Sequence, residues 1–266
     1  MKLKTFFSAL ALTAAIALPA AAKADSSIPR PEYPRPQFER ADWVNLNGEW
    51  TFSIDNVASG YEKGFFKSDG FDGKILVPFS PESKLSGVGH TDFIEGVWYH
   101  RNITIPAEWD GRNIRLNFGA VYYKSEVYID GKLVGRHFGG TSSFSFDITP
   151  FVKAGQTHSL VVYATSDLRS GKQPAGKQSL KLYSMTCNYT RTTGIWQTVW
   201  MEPVSDDGLK QVQVDTDIDQ GQIVVKPLFF QEGKSTLKVT VTDPTAPKKP
   251  VAQKTVVATN NSVVVL

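Results

Sequence analysis

Short runs in which apolar and polar residues alternate recur along the chain, and each is bounded by Gly, Pro, Asn or Asp. In residues 112–118 every second residue is apolar, as in a strand that turns one face to a core. The same alternation is found in residues 97–105, 158–164 and 222–229. After the first 24 residues, no stretch keeps apolar residues at helical spacing for three turns. The pattern therefore predicts an all-β protein.

The most specific local signal is the pair Asp130-Gly131, which separates the alternating runs at residues 124–129 and 133–136. Both residue types tolerate a positive φ, and a two-residue turn between antiparallel strands requires that conformation. The sequence therefore predicts a β-hairpin here.

Three aromatic residues, Trp50, Phe52 and Trp98, lie within alternating runs. Buried aromatic side chains dominate the cores of β-sandwiches, whereas residues that stack on sugars usually lie on loops. We therefore predict core positions for all three.

The distribution of aromatic residues divides the chain. All six Trp residues fall within residues 42–204, which are predicted to form one aromatic-rich sandwich after an extended segment at residues 25–41. Residues 205–208 are the predicted linker. Residues 209–266 contain no Trp or Tyr, and their five or so Val-rich runs predict part of an immunoglobulin-like sandwich, which has seven strands. The last run, residues 263–266, would leave an unpaired apolar edge, so we expect the natural polypeptide to continue.

The first 24 residues have the pattern of an export signal. Two lysines precede an apolar run over residues 6–18, and residues 22–24 form a small-x-small cleavage site. The run is shorter than the roughly 20 apolar residues that a membrane-spanning helix needs. We therefore predict an exported protein, periplasmic or secreted, whose mature chain begins at Asp25.

Charge and cysteine content narrow the range of partners. The leader holds three of the 29 basic residues and none of the 26 acidic ones, so the mature chain has 26 of each. Without net charge or a run of Lys and Arg, neither nucleic acid nor a membrane is an expected partner. Cys187 is the only cysteine, which excludes an intramolecular disulfide, and we predict that its thiol is buried and inert. The four His residues lack paired ligand spacing, so no metal and no cofactor is predicted.

Seven short stretches carry a family resemblance because they occur together in one order. In chain order they are residues 46–52 (LNGEWTF), 97–101 (VWYHR) running into Ile105-Pro106, 127–137 (VYIDGKLVGRH), 139–144 (GGTSSF), 147–149 (DIT), 176–178 (GKQ) and 194–200 (GIWQTVW). This order resembles the sugar-binding domain of family 2 glycoside hydrolases, the group of β-galactosidases, β-glucuronidases and β-mannosidases. The resemblance covers roughly residues 34–204. It implies a jelly-roll, galactose-binding-like β-sandwich followed by an incomplete immunoglobulin-like β-sandwich.

The resemblance also implies where the chemistry of such an enzyme lies. Hydrolysis by a retaining glycosidase needs two carboxyl groups about 5 to 5.5 Å apart, and the family carries both on a (β/α)₈ barrel that follows the two sandwiches. The printed chain ends before such a barrel, so no catalytic residue is predicted and the chain alone is expected to be inactive. The acidic residues of the sandwiches are expected at solvated positions; they include Glu95, Glu126, Glu202, Asp206 and Asp207.

In the resembled enzymes, two loops of the sandwich contact the non-reducing sugar, and here they correspond to residues 90–96 and 165–193. The predicted carbohydrate-binding residues are Glu95, Asn188 and Arg191. Asn188 offers a donor and an acceptor to sugar hydroxyls, and Arg191 offers a planar cation to a charged or hydroxyl-rich ring. The alternative is that Asn188 and Arg191 cap turns or face water.

Each of these loops departs from the family pattern at one position. Gly96 stands where a sugar-contacting Asn is frequent, and Asn188 stands where some members have Asp. These departures argue against carrying over a typical galactose or glucuronate contact.

Two functions are consistent with these observations. The first is the non-catalytic amino-terminal part of an exported family 2 β-glycosidase, in which this chain shapes the pocket for a β-glycoside. The second is an exported carbohydrate-binding module that acts alone and without hydrolase activity. Both make carbohydrate the expected partner.

Overall fold

The computed structural model describes residues 28–266, so the predicted leader lies outside the described part of the chain. Within residues 28–266 the regular structure consists of strands and of 3₁₀ turns three residues long. This confirms the all-β prediction, with a jelly-roll β-sandwich followed by a smaller β unit. None of the helices in this range has the length and apolar character needed to cross a bilayer.

Twelve strands build the first sandwich. In chain order they are β1 (Val44–Asn45), β2 (Gly48–Ile54), β3 (Gly73–Val77), β4 (Gly96–Thr104), β5 (Asn113–Phe118), β6 (Val121–Tyr122), β7 (Lys124–Ile129), β8 (Lys132–Phe138), β9 (Phe144–Asp147), β10 (Thr157–Thr165), β11 (Gly194–Ile195) and β12 (Val199–Val204). A six-stranded sheet has the order β3-β2-β4-β10-β7-β8, and a four-stranded sheet has the order β1-β12-β5-β9. The short strands β6 and β11 pair with each other.

The main core consists of buried apolar side chains from both sheets. Because side chains alternate between the two faces of a strand, every second residue of β5 and β12 reaches it. Leu116 and Phe118 of β5 are fully buried there, as is Met201 of β12. Trp50 and Phe52 of β2 belong to the same core, which confirms their predicted positions.

A second aromatic cluster covers the other face of the six-stranded sheet. The indole of Trp98 stacks on Tyr163 with 4.1 Å between the ring centroids, and Phe65 packs edge-on against it. The indole Nε1 of Trp98 donates a hydrogen bond of 2.9 Å to the carboxylate of Asp55. Strand β4 is therefore buried on both faces, and the predicted core position of Trp98 is confirmed.

Glu126 lies at the edge of this aromatic cluster and is 7% exposed, so the prediction that it is solvated is wrong. Its carboxylate accepts hydrogen bonds from the hydroxyl groups of Tyr61, at 2.7 Å, and of Tyr128, and from Nε of Arg136 at 2.8 Å. Burial alone would raise the pKa of Glu126, but the three hydrogen bonds and the charge of Arg136 outweigh it and lower the pKa.

Glu202 of β12 is fully buried, so the prediction of a solvated position is wrong here as well. Its carboxylate accepts a hydrogen bond of 2.7 Å from the hydroxyl group of Tyr33 and lies 3.6 Å from Nε of Arg40. Both partners belong to residues 28–41, the segment before the first strand. This segment covers the face of the four-stranded sheet that points away from the main core.

The hairpin between β7 and β8 is confirmed. Asp130 and Gly131 have φ values of 48° and 73°, which is the left-handed conformation that their types allow. The carboxylate of Asp130 also accepts the backbone N–H of Ser159 at 2.9 Å, so the turn is tied to β10.

Five further strands follow residues 205–208. They are β13 (Leu209–Asp217), β14 (Gln222–Phe229), β15 (Ser235–Asp243), β16 (Ala246–Ala258) and β17 (Val264–Val265). They form a three-stranded sheet in the order β13-β14-β17 and a two-stranded sheet of β15 and β16. The number of strands agrees with the five or so that the Val-rich runs predict.

Candidate carbohydrate-binding site

Strand pairing brings the two predicted sugar-contacting loops together. In the antiparallel pair of β4 and β10, Gly96 lies opposite Thr165. The chain that enters β4 and the chain that leaves β10 are therefore neighbours, and the backbone N–H of Ser166 donates to the carbonyl of Glu95 at 3.0 Å. Residues 90–96 and 165–193 thus form one surface at the edge of the sandwich.

Arg191 joins these two loops from the inside and is 3% exposed. Its Nη1 donates to the carbonyl of Ser179 at 3.1 Å and to the carbonyl of Lys181, and its Nη2 donates to the carbonyl of Thr91. The guanidinium also lies 4.3 Å from the ring centroid of Phe93. Both Nη atoms therefore bind loop backbone, and the predicted contact of Arg191 with a sugar stays a prediction.

Glu95 lies on the outer side of the same loops, where about half of its side chain is exposed. Its carboxylate is 3.1 Å from Nη2 of Arg169, and the guanidinium of Arg169 lies 4.4 Å from the centroid of Phe93. Phe93 is thus in contact with two arginines, one exposed and one buried. The predicted contact of Glu95 with a sugar stays a prediction.

Asn188 lies on a short turn within residues 179–189. Its backbone N–H and carbonyl pair with those of Met185, both at 2.9 Å, and its side chain makes no hydrogen bond to another described residue. A contact with a sugar therefore stays a prediction. The neighbouring Cys187 is exposed, so the prediction of a buried thiol is wrong. The cause is its place on a loop that carries other exposed apolar side chains, such as Tyr183.

The base of the longer loop is held by a buried carboxyl group that the sequence reasoning missed. Glu82 accepts the backbone N–H of Thr193 at 3.1 Å, and burial raises the pKa of this carboxyl group. The next residue must be glycine, because a Cβ at Gly194 would lie 2.1 Å from the hydroxyl oxygen of Tyr99. That hydroxyl accepts the backbone N–H of Ile195 at 3.3 Å.

A cavity of about 400 Å³ opens beside this loop, and we call it the Tyr122 cavity. Its lining is mostly apolar, and within residues 28–266 no Asp or Glu belongs to it. The residues that matter here are Tyr122, Tyr123, Gly140, Lys177, Gln178 and Trp196. Ligand pockets are commonly of this kind, with aromatic walls and a few polar groups that fix orientation. A sugar ring can place its apolar face against the aromatic walls and its hydroxyl groups against the polar groups.

Close packing fixes the walls of the Tyr122 cavity. The indole Nε1 of Trp196 donates to the carbonyl of Gly140 at 2.8 Å, and a Cβ at Gly140 would lie 1.9 Å from the ring of Tyr122. The hydroxyl group of Tyr122 donates to the carbonyl of Pro174 in the long loop. Three motif stretches that lie far apart in sequence, at residues 139–144, 176–178 and 194–200, therefore meet at one cavity.

Titratable side chains give no sign of a metal centre in the part of the chain that the structure describes. No group of three or more His, Cys, Asp and Glu side chains in residues 28–266 is placed to hold a metal ion. The side chains at the Tyr122 cavity offer aromatic faces, hydroxyl groups, an amide and an amine.

Known proteins are similar to this chain in sequence. Residues 89–171 match the family model "Glycosyl hydrolases family 2, sugar binding domain". A β-galactosidase of Thermoanaerobacter pseudethanolicus is 25% identical over 180 residues, which cover 66% of this chain and 23% of that protein. A β-glucuronidase of Canis lupus familiaris is 26% identical over 240 residues, which cover 79% of this chain and 36% of that protein.

A solved structure agrees in fold. The crystal structure of Ruminococcus gnavus β-glucuronidase matches with a TM-score of 0.65 and 22% identity, over 85% of this chain and 41% of that one. The chain therefore spans between about a quarter and two fifths of the length of these relatives.

Proposed function

This chain carries the sugar-binding domain of glycoside hydrolase family 2, and from that premise we propose that it is the non-catalytic amino-terminal part of a β-glycosidase. In this role its loops at residues 90–96 and 165–193 and its Tyr122 cavity shape the pocket for a β-glycoside. Hydrolysis of the O-glycosyl bond, β-galactosidase-like in kind, belongs to the full-length enzyme.

The observation that supports this proposal is the composition of the Tyr122 cavity. Three of the motif stretches converge on it and give it aromatic and polar walls, yet none of the described residues that line it is Asp or Glu. Cleavage of a glycosidic bond by the usual mechanism needs two carboxyl groups that flank that bond. The cavity can therefore hold a sugar and has no means to cleave it.

Export is part of the proposal and is supported by the pattern of residues 1–24. A leader that is removed after Ala24 places the product in a periplasm or outside the cell. Intact mass measurement of the exported protein should give a chain that begins at Asp25. A cell-associated product that retains residues 1–24 would contradict export.

The test of sugar binding is a titration of the purified chain with methyl β-D-galactoside and methyl β-D-glucoside, followed by ¹H–¹⁵N NMR. We expect saturable shifts of the amides of Lys177, Gln178 and Gly140 with a dissociation constant of about 1 mM or weaker, because the chain supplies only part of a pocket.

The matched variants for this titration are Tyr123→Ala in the cavity and Tyr183→Ala on the exposed part of the loop, where the side chain is 60% exposed. Loss of the cavity ring should weaken binding about tenfold, since a buried aromatic contact contributes on the order of 1 kcal/mol. The Tyr183 variant should bind like the wild type. Equal affinities of the two variants, or shifts that do not saturate, would sink the proposal.

A further inference from the structure

A second cavity, of about 600 Å³, shares Thr141 and Trp196 with the Tyr122 cavity but is otherwise lined by different residues. We call it the Arg35 cavity. Its other walls include Arg30, Glu32, Arg35, Gln197 and Trp200. The proposed function does not use it.

The segment that carries Arg30, Glu32 and Arg35 is anchored at several points. The side-chain amides of Asn47 and Asn45 donate to the carbonyls of Pro29 and Arg30, each at 2.9 Å. Further along, the hydroxyl group of Tyr33 donates to the buried Glu202 at 2.7 Å. These contacts hold the segment on the four-stranded sheet, so this wall of the cavity is already formed without a ligand.

Trp200 is the buried aromatic residue of the Arg35 cavity. Its side chain is 1% exposed, and its Nε1 has no hydrogen-bond partner among the described residues. A buried N–H without an acceptor costs free energy, and most such groups in folded proteins are paired. Because Nε1 itself is buried, Trp200 contributes its aromatic ring to the cavity wall and no hydrogen bond to a molecule in the cavity.

The charges at the cavity do not balance. Glu32 lies 3.8 Å from Nε of Arg30, which leaves Arg35 without an ion pair to any described residue. The guanidinium of Arg35 lies 5.4 Å from the ring centroid of Trp200. A guanidinium can bind a carboxylate with two parallel hydrogen bonds. The unpaired guanidinium of Arg35 therefore makes an anion a suitable ligand for this cavity.

We propose that the Arg35 cavity binds a saccharide that carries a carboxylate, with Arg35 on the carboxylate and the indole of Trp196 against the sugar ring. The aromatic wall selects a ring with an apolar face, and the excess positive charge selects an acidic one. The site adjoins the Tyr122 cavity, with which it shares Thr141 and Trp196, and it provides a second point at which the chain holds an acidic polysaccharide or oligosaccharide.

The experiment compares methyl β-D-glucuronide with methyl β-D-glucoside, which differ only in a carboxylate and a hydroxymethyl group. Both are titrated into the purified chain, and the backbone amide signal of Gln197, which lines the Arg35 cavity and not the Tyr122 cavity, is followed by ¹H–¹⁵N NMR. The glucuronide should shift this signal and bind about tenfold more tightly than the glucoside at low salt. Its affinity should fall as NaCl is added, because Arg35 is partly exposed.

Arg35→Gln removes the charge and keeps a hydrogen-bonding side chain, while Lys132→Gln makes the same charge change at the start of β8 in the other sheet. The first variant should lose about tenfold in glucuronide affinity, and the second should match the wild type. If Arg35→Gln unfolds, Arg35→Lys must still weaken glucuronide binding, since it lacks the planar pair of donors.

Three results would overturn the proposal: equal affinity for the two glycosides, no effect of the Arg35 substitutions, or no shift of the Gln197 amide signal. Shifts confined to Lys177, Gln178 and Gly140 would place the glucuronide in the Tyr122 cavity. That outcome would refute the Arg35 cavity as a site and leave the proposed function standing.

Discussion

Replacement of Arg191 by alanine is expected to lower the free energy of unfolding by about 3 kcal/mol, because it removes three hydrogen bonds that a buried, charged donor makes to the loops. The wild-type guanidinium joins the carbonyls of Ser179, Lys181 and Thr91 and packs on Phe93. Without it, residues 165–193 lose their connection to residues 90–96. The loop should therefore open locally more often than the sandwich unfolds as a whole.

Limited trypsin digestion measures this opening directly, since Lys177 and Lys181 lie within the loop. Cleavage after these two residues should be at least about tenfold faster in Arg191→Ala than in the wild type. The matched control is Arg169→Ala, which removes the other arginine at Phe93. Its ion pair with Glu95 is more than half exposed on both sides, so its loss should cost less than about 1 kcal/mol. Equal sensitivity of the two variants would show that Arg191 does not hold the loops together.

Replacement of Glu126 by glutamine is expected to lower the free energy of unfolding at pH 7 by about 2 kcal/mol, because hydrogen bonds to a charged acceptor are stronger than those to a neutral one. The three donors, Tyr61, Tyr128 and Arg136, stay in place around a group that no longer carries charge. An amide NH₂ also presents a donor where the carboxylate accepted, so part of the network is left unpaired.

The direction of the pKa shift of Glu126 determines how the difference in unfolding free energy changes with pH. The pKa of Glu126 is lower in the folded chain than in the unfolded one, so the unfolded state binds the proton first as pH falls. The stabilisation that the ionised Glu126 carboxylate gives the folded chain is therefore complete above the unfolded pKa of about 4.3. It is lost as pH falls through the folded pKa. The difference between wild type and Glu126→Gln should be largest near neutral pH and should shrink below about pH 4.

Urea unfolding between pH 3 and 8 measures this difference. Glu49→Gln is the control, because its ion pair with Lys74 is more than 60% exposed on both sides and contributes little. A difference between wild type and Glu126→Gln that stays constant down to pH 3 would contradict the assigned network.

The strands and the hairpin of the fold were predictable because their signals are local. Asp130-Gly131 fixes a turn through its own backbone, and the alternation in residues 112–118 fixes which side chains share a face. The segments that cover the outer face of a sheet are distant from it in sequence, so no local signal predicts them. Glu126 is buried by residues 55–72 and Glu202 by residues 28–41. These segments have no hydrophobic periodicity from which their packing on the sheets could be predicted.

The candidate site divides in the same way. Motif order located the two loops, and the pairing of Gly96 with Thr165 explains why they meet. The Tyr122 cavity was not predictable, because its walls come from four separate segments of the chain. In addition, Tyr122 and Tyr123 belong to none of the seven motif stretches. The role of Arg191 inside the loops depends on carbonyl groups, which every sequence has and no sequence pattern reveals.

The central claim is that the sandwich holds a sugar and contributes no catalytic pair. Release of p-nitrophenol from p-nitrophenyl β-D-galactoside and β-D-glucuronide by the purified chain tests it most directly. We predict a rate equal to that of a heat-inactivated sample, because no carboxyl group lines the Tyr122 cavity. Turnover above that background which disappears when one Asp or Glu of this chain is replaced by its amide would contradict the claim.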